Sequence, residues 1–451
     1  IRHYQTMEDL LGASTYHNIN SHLTGSYAST APEIQYDLNH PNALVGEGDK
    51  FGYDYKIEVL KGLLWTSYTA QMNRFVGNLS AKLGQTNMRR HGYMKNGLFP
   101  DSSEGNSGIA RMGEGGAKGS LSFDAGRGHT FKIGAGYEWQ PPTANTAFLA
   151  PEMYNSYVFN LKDEKIFSSE FSYQFQNAWL HANLNAYYSR LEDVAEWQCY
   201  YDDAQSAFSY VSMTGIKKEH YGVEAGLDFK LTSFLNFKAV GAISDAKNIN
   251  NCDVAYLNSN KATVEHDIVY NKNMRESGTP LTVGSLGLDF HSGGWYINVN
   301  ANYYDRIYLS YSPMYRYGET LKQRQKAHIS QGAFNEAVYG DSYTDAKGNI
   351  TAELLPEAVE QAQGHGGWMV DASISKSVRL KHGSLNFNLM FTNILNNQKI
   401  VSGGYEQSRT DISFDSTTGE YSNTRVYKFS KNPKKFYVFG TNGMFQVSYR
   451  F

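Results

Sequence analysis

Histidines, serines, cysteines and carboxylates are the residues of this sequence that could support catalysis or bind a metal ion. The 13 histidines form no HExxH or HxH pair, and His365 stands alone between glycines. Residues 341–349 offer oxygen ligands for calcium, but they lack the acidic spacing and the closing glutamate of an EF-hand. A turn at 345–348 explains that segment better. Because no nucleophile arrangement is present either, we predict no enzyme, no metal site and no cofactor.

The elements that must position any functional residue are paired segments in which apolar and polar side chains alternate. From Tyr221 to Phe229 every second residue is apolar, and the alternation returns from Leu235 to Ile243 after a turn at 232–233. This pattern predicts a β-hairpin with one apolar and one polar face. Similar hairpins are predicted at 63–84, 117–139, 167–188, 286–303 and 368–391. With 51–59 and 445–451 added, the sequence predicts about 14 strands.

Long connections alternate with short turns along the chain. The predicted long connections are 91–116, 140–165, 190–219, 245–283, 305–366 and 393–441. A water-soluble sandwich rarely has a long loop at every second connection, whereas outer-membrane barrels have short periplasmic turns and long extracellular loops. Mean hydropathy of −0.51 excludes transmembrane helices only, since alternating strands average polar. We therefore predict an all-β fold, a transmembrane antiparallel up-and-down β-barrel, with a large soluble all-β protein as the alternative.

The C-terminus carries the first family signal. Residues 445–451 place Phe445, Val447, Tyr449 and Phe451 at alternate positions, and this looks like the signal that the outer-membrane barrel assembly machinery reads. Residues 393–397 (NILNN), which are followed by GGYE at 403–406, resemble the Asn-Leu-Leu/Phe-Asn signature of the TonB-dependent receptors. Residues 434–451 are similar to the last loop and strand of that family. Residues 37–42 and 47–53 resemble the branch in which a carboxypeptidase-regulatory-like domain precedes the plug.

The resemblance implies a barrel of about 22 strands enclosing a plug, so this chain would supply about 14 of them. We expect residues 1–451 to form the C-terminal part of one outer-membrane β-barrel domain, with the plug and the first strands outside this chain. The start at Ile1, without a signal peptide, favours a longer polypeptide. A self-contained barrel of about 14 strands is the alternative.

Aromatic residues have two predicted roles. Rings beside strand ends suit the girdle at the membrane interface, and these are Trp139, Tyr188, Tyr303 and Tyr304. Rings deeper in the connections can stack against a ligand, because they combine an apolar face with a polar edge. The predicted ligand-binding residues are Trp197, Tyr200, Tyr201, Tyr308, Tyr311, Tyr315 and Tyr317.

Two further features lie in the predicted connections. Cys199 and Cys252 fall in consecutive connections on the same, oxidising side, so we predict a disulfide between them. The basic runs Arg89-Arg90-His91 and 431–435 lie near loop ends. These runs are either solvated loop bases or contacts to anionic lipopolysaccharide.

By the resemblance, the function is import of a scarce or large ligand across the outer membrane of a Gram-negative bacterium. The implied partners are outer-membrane lipid and lipopolysaccharide, the assembly machinery, a surface lipoprotein, an unidentified ligand, and an inner-membrane energy-coupling protein that acts on the N-terminal region outside this chain. Nucleic acid is not expected, because 41 basic residues are balanced by 44 acidic ones. A passive channel of about 14 strands and a surface adhesin or structural barrel are the alternatives.

Overall fold

The computed structural model describes residues 1–9, 14–20, 23, 30–202, 207–321, 360–407, 413–415, 420–422 and 433–451. Long antiparallel strands dominate the described residues. They are β1 (Lys50–Met72), β2 (Phe75–Gly92), β3 (Ala110–Gly126), β4 (His129–Gln140), β5 (Glu164–Gln176), β6 (Leu180–Asp202), β7 (Ala207–Lys230), β8 (Leu235–Asn248), β9 (Pro280–Ser292), β10 (Trp295–Tyr308), β11 (Gly367–Leu380), β12 (Gly383–Thr392) and β13 (Asn442–Arg450).

Each of these strands pairs antiparallel with the next one along the chain, from β1 to β13. The predicted up-and-down fold is therefore confirmed, with 13 long strands in place of about 14. Among the described residues no register joins β13 to β1, so the barrel is not closed. The residues of β13 and most of those from 59 to 72 in β1 are exposed, as expected for the two edges of a sheet.

Short turns join the strands at one end of the sheet, at 73–74, 127–128, 177–179, 231–234, 293–294 and 381–382. Two-residue hairpin turns of the kind that matches strand twist need positive φ at both central positions. Gly293 and Gly294 meet that requirement with φ of 56° and 78°. Local chemistry thus fixes where each hairpin reverses.

The outward face of the sheet is apolar and has an aromatic row near each end. The register pairs Tyr137 with Phe167, Tyr188 with Tyr221 and Tyr303 with Trp368 in the upper row. In the lower row it pairs Phe123 with Phe131 and Phe229 with Phe237. Eight residues separate Tyr221 from Phe229, which is about 20 Å of height for a tilted strand. This separation suits an apolar membrane core.

Three of the four predicted girdle residues lie on the outward face, and their role at the membrane interface stays a prediction. Trp139, Tyr188 and Tyr303 lie on the outward face at the level of the upper row or just above it. The assignment of Tyr304 was wrong, because successive side chains of a strand point to opposite faces and Tyr304 shares the inner face with Asn302. The lower aromatic row was missed, although its residues alternate as regularly as those above.

The inner face is polar, and many of its charges are paired within the sheet. Lys82 pairs with Glu138, Lys132 with Glu170, and Lys238 with Asp289, each at 2.7 Å. Asn302 donates a hydrogen bond to Asp371 at 2.9 Å. The strands therefore present a wall suited to a water-filled lumen.

The opposite end of the sheet carries the connections and the short elements. The predicted connection 190–219 was wrong, because β6 and β7 continue as a hairpin through most of it. The short strands are Arg2–Thr6, Thr15–His17, Leu44–Gly46, Gly105–Asn106, Cys252–Asn258, Val264–Val269, Gln363–Gly364, Val401–Glu406, Ser413–Asp415, Glu420–Ser422 and Pro433–Tyr437. Helical turns occupy Met7–Asp9, Pro32–Ile34, Ala144–Ala147 and Pro313–Arg316. Within the described ranges no helix is long and apolar enough to span a membrane.

An arginine introduced on the outward face will destabilise the barrel far more than one on the inner face. Leu184 lies outward on β6, midway between the levels of Tyr221 and Phe229, and Glu224 lies on the inner face of β7. We expect Leu184→Arg to lower the free energy of unfolding in lipid vesicles by about 3 kcal/mol, because the charge meets hydrocarbon. The Glu224→Arg control should change it by less than about 1 kcal/mol, and equal effects would contradict the assignment of faces.

Candidate functional site

A layered assembly, here called the cap, covers the loop end of the sheet. It consists of residues 141–163, 193–202, 207–217, 249–279, 309–321, 360–366 and 393–407. Its centre is the upper part of the β6–β7 hairpin, which is extended by the strands Cys252–Asn258 and Val264–Val269. The four strands form a small sheet whose two faces are both covered by connections. Burial on both faces explains why this segment does not show the apolar and polar alternation of the barrel strands.

One face of the cap sheet packs against connection 141–163. Tyr210 and Leu257 lie in a buried cluster with Leu149 and Met153. Trp197 is held there because its Nε1 donates to the carbonyl oxygen of Leu149 at 2.7 Å.

A buried acid lies on that same face of the cap. The hydroxyl of Tyr210 donates to Oε2 of Glu152 at 2.5 Å. Burial raises the pKa of Glu152, because the charged form loses its hydration.

The other face packs against connection 309–321. Val211 and Met213 contact the cluster that contains Val269 and Tyr317. The ring of Tyr256 stacks on Tyr317 with centroids 4.7 Å apart. Residues that are distant in sequence therefore share one core.

Connection 141–163 also packs against the inner face of the first three strands. Phe148 is buried beside Tyr55, Met88 and Met112 of the first three strands. The hydroxyl of Tyr157 donates to the carbonyl oxygen of Met88 at 2.7 Å. The connection thus contacts both the barrel wall and the cap sheet.

A fully buried ion pair joins two connections of the cap. Both side chains of Arg316 and Glu406 are inaccessible, with guanidinium to carboxylate distances of 2.7 and 2.9 Å. The backbone N–H of Ser312 also donates to Glu406 Oε2 at 2.9 Å, and Arg316 donates to the carbonyl oxygen of Glu360 at 2.6 Å. The two hydrogen bonds between the Arg316 guanidinium and the Glu406 carboxylate fix both the distance between the two segments and their relative orientation. We call this arrangement the clasp.

The family model described as "TonB dependent receptor-like, beta-barrel" matches residues 8–396 of this chain. The chain belongs to the TonB-dependent receptors. The copper transporter OprC superposes with a TM-score of 0.53 at 12% identity over 92% of this chain and 52% of its own. The siderophore receptor PiuA from Acinetobacter baumannii gives 0.51 at 11% over 90% and 44%.

The ferric citrate transporter FecA gives a TM-score of 0.53 at 10% identity, over 90% of this chain and 48% of its own. The chain therefore spans about half the length of these solved structures. No curated protein sequence matches it. The family and these neighbours are outer-membrane receptors and transporters, not enzymes.

The receptor uses most of the predicted ligand-binding aromatics to build the cap. Tyr315 and Tyr317 are buried, so their rings are not accessible to a ligand in this structure. Trp197, Tyr200 and Tyr311 pack at the edges of the two cap clusters. Of the seven predicted residues, Tyr201 alone has an exposed side chain.

Tyr201 forms an accessible aromatic pair with a residue that the sequence did not indicate. Phe208 lies directly opposite Tyr201 in the hairpin, with ring centroids 5.4 Å apart and an edge-on arrangement. Both rings are exposed. Hairpin register would have identified Phe208, but the sequence reading placed no strand there. The last of the seven, Tyr308, lies under the guanidinium of Arg275 at 4.9 Å.

The predicted disulfide between Cys199 and Cys252 was wrong, since both cysteines are free. Cys199 is opposite Tyr210, and Tyr210 is opposite Leu257, five residues along the strand from Cys252. Five residues of strand span about 17 Å, whereas a disulfide needs Cα atoms within about 7 Å. Asn271 Nδ2 donates to the buried Cys252 sulfur at 3.3 Å.

The remaining predicted sites have different outcomes. Arg90 is buried and donates to the carbonyl oxygen of Ser103 at 2.7 Å and to Asn155 Oδ1 at 2.5 Å, so it was wrongly considered a surface base.

Phe445, Val447 and Tyr449 lie on the exposed edge strand β13 and Phe451 directly follows it, and their role in assembly stays a prediction. Residues 341–349 and 431–432 lie outside the described residues. In the part of the chain that is described, no group of three or more metal-ligating side chains could hold an ion.

Breaking the clasp on one side will loosen the cap without unfolding the barrel. Glu406→Gln leaves the buried Arg316 without a counter-charge, and we expect a local loss of about 4 kcal/mol. Hydrogen exchange over 309–321 and 401–406 measures this loss. The control Glu170→Gln removes a half-exposed inner-face pair and should cost under about 1 kcal/mol. The double variant R316M/E406L should recover most of the protection, and a failure to do so would show that the pair is not the relevant contact.

The two cysteines should behave as free thiols of different reactivity. Cys252 is buried, and burial raises its pKa to about 12, whereas Cys199 is exposed. Since the thiolate is the reactive form, alkylation at pH 8 should be much slower at Cys252 than at Cys199 in the folded receptor, and complete at both cysteines in denaturant. Intact mass should be the same before and after reduction. A gain of two mass units on reduction would show that the two cysteines are joined by a disulfide after all.

Proposed function

We propose that this chain is the C-terminal barrel portion of a receptor that captures a ligand at the cap and imports it with energy coupled from the inner membrane. Membership of the family and the half-length match to solved receptors support this proposal. The unclosed sheet, with exposed β1 and β13, supports the expectation that further strands and a plug belong to the intact protein.

The observation that carries the proposal is a connection packed on the inner face above a polar wall. Connection 141–163 packs against Met88 and Met112, whose side chains lie on the inner face. Lysines and carboxylates line the inner face nearer the short turns. A connection that folds inward above a polar wall suits capture followed by a controlled opening better than it suits a passive open pore.

The exposed rings of Tyr201 and Phe208 are the proposed first contact with the ligand. Two accessible rings at a hairpin tip can stack on a planar or ring-shaped molecule. The names of the solved neighbours point to copper, ferric citrate and a siderophore as the first three probes.

Removing the two rings should weaken capture without affecting assembly. We expect Y201A/F208A in the full-length receptor to bind its ligand about tenfold less tightly, since each stacked ring contributes about 0.5–1.5 kcal/mol. Equilibrium binding of the three probes to purified receptor measures this change. Trp179→Ala is the matched control, because it removes an exposed ring from a turn at the other end of the sheet.

Uptake by whole cells separates the proposed function from its alternatives. A gene deletion should abolish uptake of one probe, and dissipating the proton-motive force should do the same in the wild type. Uptake that survives dissipation would indicate a passive channel. Surface attachment without uptake of any nutrient supplied singly would indicate an adhesin or structural barrel.

A further inference from the structure

Two arginines of the described residues are fully buried, and only one of them has a carboxylate partner. Arg316 pairs with Glu406 in the clasp. Arg90 makes no ion pair with any described residue. A guanidinium that loses its hydration is costly to bury unless an anion compensates its charge. The missing carboxylate at Arg90 therefore requires an explanation.

Arg90 lies near the loop end of β2, on the inner face of the sheet. It follows Met88 by two residues and so shares the face of that residue. Its Cζ atom lies 5.1 Å from the centroid of the Tyr55 ring, which covers one side of the guanidinium plane. A Cβ atom at Gly92 would clash with the carbonyl oxygen of Ser103 and lie 2.6 Å from Arg90 Nη1. The glycine therefore leaves the space in which these two groups meet.

Neutral oxygens accept the hydrogen bonds of this guanidinium. Nε donates to the carbonyl oxygen of Pro151 at 2.5 Å, and Nη1 donates to that of Ser103 at 2.7 Å and to Asn155 Oδ1 at 2.5 Å. The two remaining N–H groups, on Nη2, donate to no described residue. Pro151 and Asn155 both belong to connection 141–163. Arg90 thus holds this connection through neutral acceptors and keeps unused donors.

The Nε and Nη2 atoms form one edge of a guanidinium, and this edge binds a carboxylate through two parallel hydrogen bonds. Other arginines of the chain are used in this way. Arg2 donates to Asp54 from Nε at 2.8 Å and from Nη2 at 2.6 Å. Arg275 donates to Asp245 from the same two atoms, at 2.8 and 3.3 Å. At the buried guanidinium of β2, a peptide carbonyl fills only half of this edge.

The half-filled edge lies close beneath the surface of the cap. Pro151 and Asn155 are half-buried, and Ser156 is exposed. An ionised acceptor forms stronger hydrogen bonds with a guanidinium than a neutral carbonyl does, so a carboxylate that reaches this edge displaces the carbonyl of Pro151. Because that carbonyl belongs to connection 141–163, its displacement weakens the attachment of the connection to the wall.

We propose that the Nε–Nη2 edge of Arg90 binds a carboxylate group of the captured ligand and thereby loosens connection 141–163 from the inner face. This inference rests on the proposed capture of a ligand at the cap, and it adds the chemical class of that ligand, which is an organic acid. A carboxylate from a part of the intact protein outside this chain is the competing source, and a titration with citrate separates the two.

Citrate and its uncharged trimethyl ester test the proposal, because they share a skeleton and differ in charge. Hydrogen exchange over 148–158 is followed in the full-length receptor in detergent, titrated with each probe at constant ionic strength. Arg90→Gln removes the charge, and Asn155→Ala removes one acceptor but leaves the guanidinium. Lys118→Gln is the matched control, because it removes an exposed inner-face cation elsewhere in the sheet. Heat-modifiable migration on gels verifies that each variant is folded.

We expect citrate, but not the ester, to speed the exchange of 148–158 in the wild type and in Lys118→Gln. Arg90→Gln should weaken the apparent affinity for citrate at least about tenfold, because hydrogen bonds between charged groups are lost. Asn155→Ala should strengthen it about fivefold, since one hydrogen bond that keeps the connection in place is removed.

Absence of a citrate response in the wild type would overturn the proposal and assign the edge to an internal carboxylate or to a structural role. An equal response to the ester, or an unchanged affinity in Arg90→Gln, would overturn it as well. Energy-dependent uptake by whole cells together with a failed citrate response would remove this inference and leave the proposed function standing. A citrate response in the purified receptor without uptake of any probe would do the reverse.

Discussion

The structure depends on one constraint, which is that the hydrocarbon core of a membrane offers no hydrogen-bond partner to the peptide backbone. Each strand that crosses it must find its partners in its neighbours, and here twelve successive pairings supply them from β1 to β13. The same constraint fixes the side chains. Because the backbone hydrogen bonds run between neighbouring strands within the sheet, the side chains of one face can contact lipid and those of the other face can contact water.

The parts of the fold that obey this constraint were predictable from sequence, because their signals are local. Alternation identified the hairpins, and turn residues such as Gly293-Gly294 located the reversals. The errors occur where the constraint no longer acts. The upper parts of β6 and β7, residues 194–202 and 207–216, lie beyond the aromatic row and are covered on both faces over much of their length. The alternation that identifies a barrel strand therefore disappears there, although the strands continue. Tyr304 was misplaced because proximity to a strand end was considered without the face it occupies.

The cap could not be predicted, because its contacts join residues that no local pattern connects. The clasp links Arg316 to Glu406, 90 residues apart in sequence, and Tyr157 reaches back to Met88. The disulfide prediction failed for the same reason. Both cysteines were placed on the correct side of the sheet, but the register that separates them along the hairpin depends on the full strand pairing. Of the seven predicted ligand-binding residues only Tyr201 is exposed, because most of the other six pack in or against the buried clusters of the cap.

Connection 141–163 is shared between two structures that could otherwise move separately. Its residues Phe148 and Tyr157 contact the wall, and Leu149 and Met153 contact the cap sheet only a few positions away. Phe148 and Leu149 are adjacent in sequence but belong to different buried clusters, one on the wall and one on the cap sheet. A change in the packing of either cluster therefore acts on a side chain only one residue away from the other.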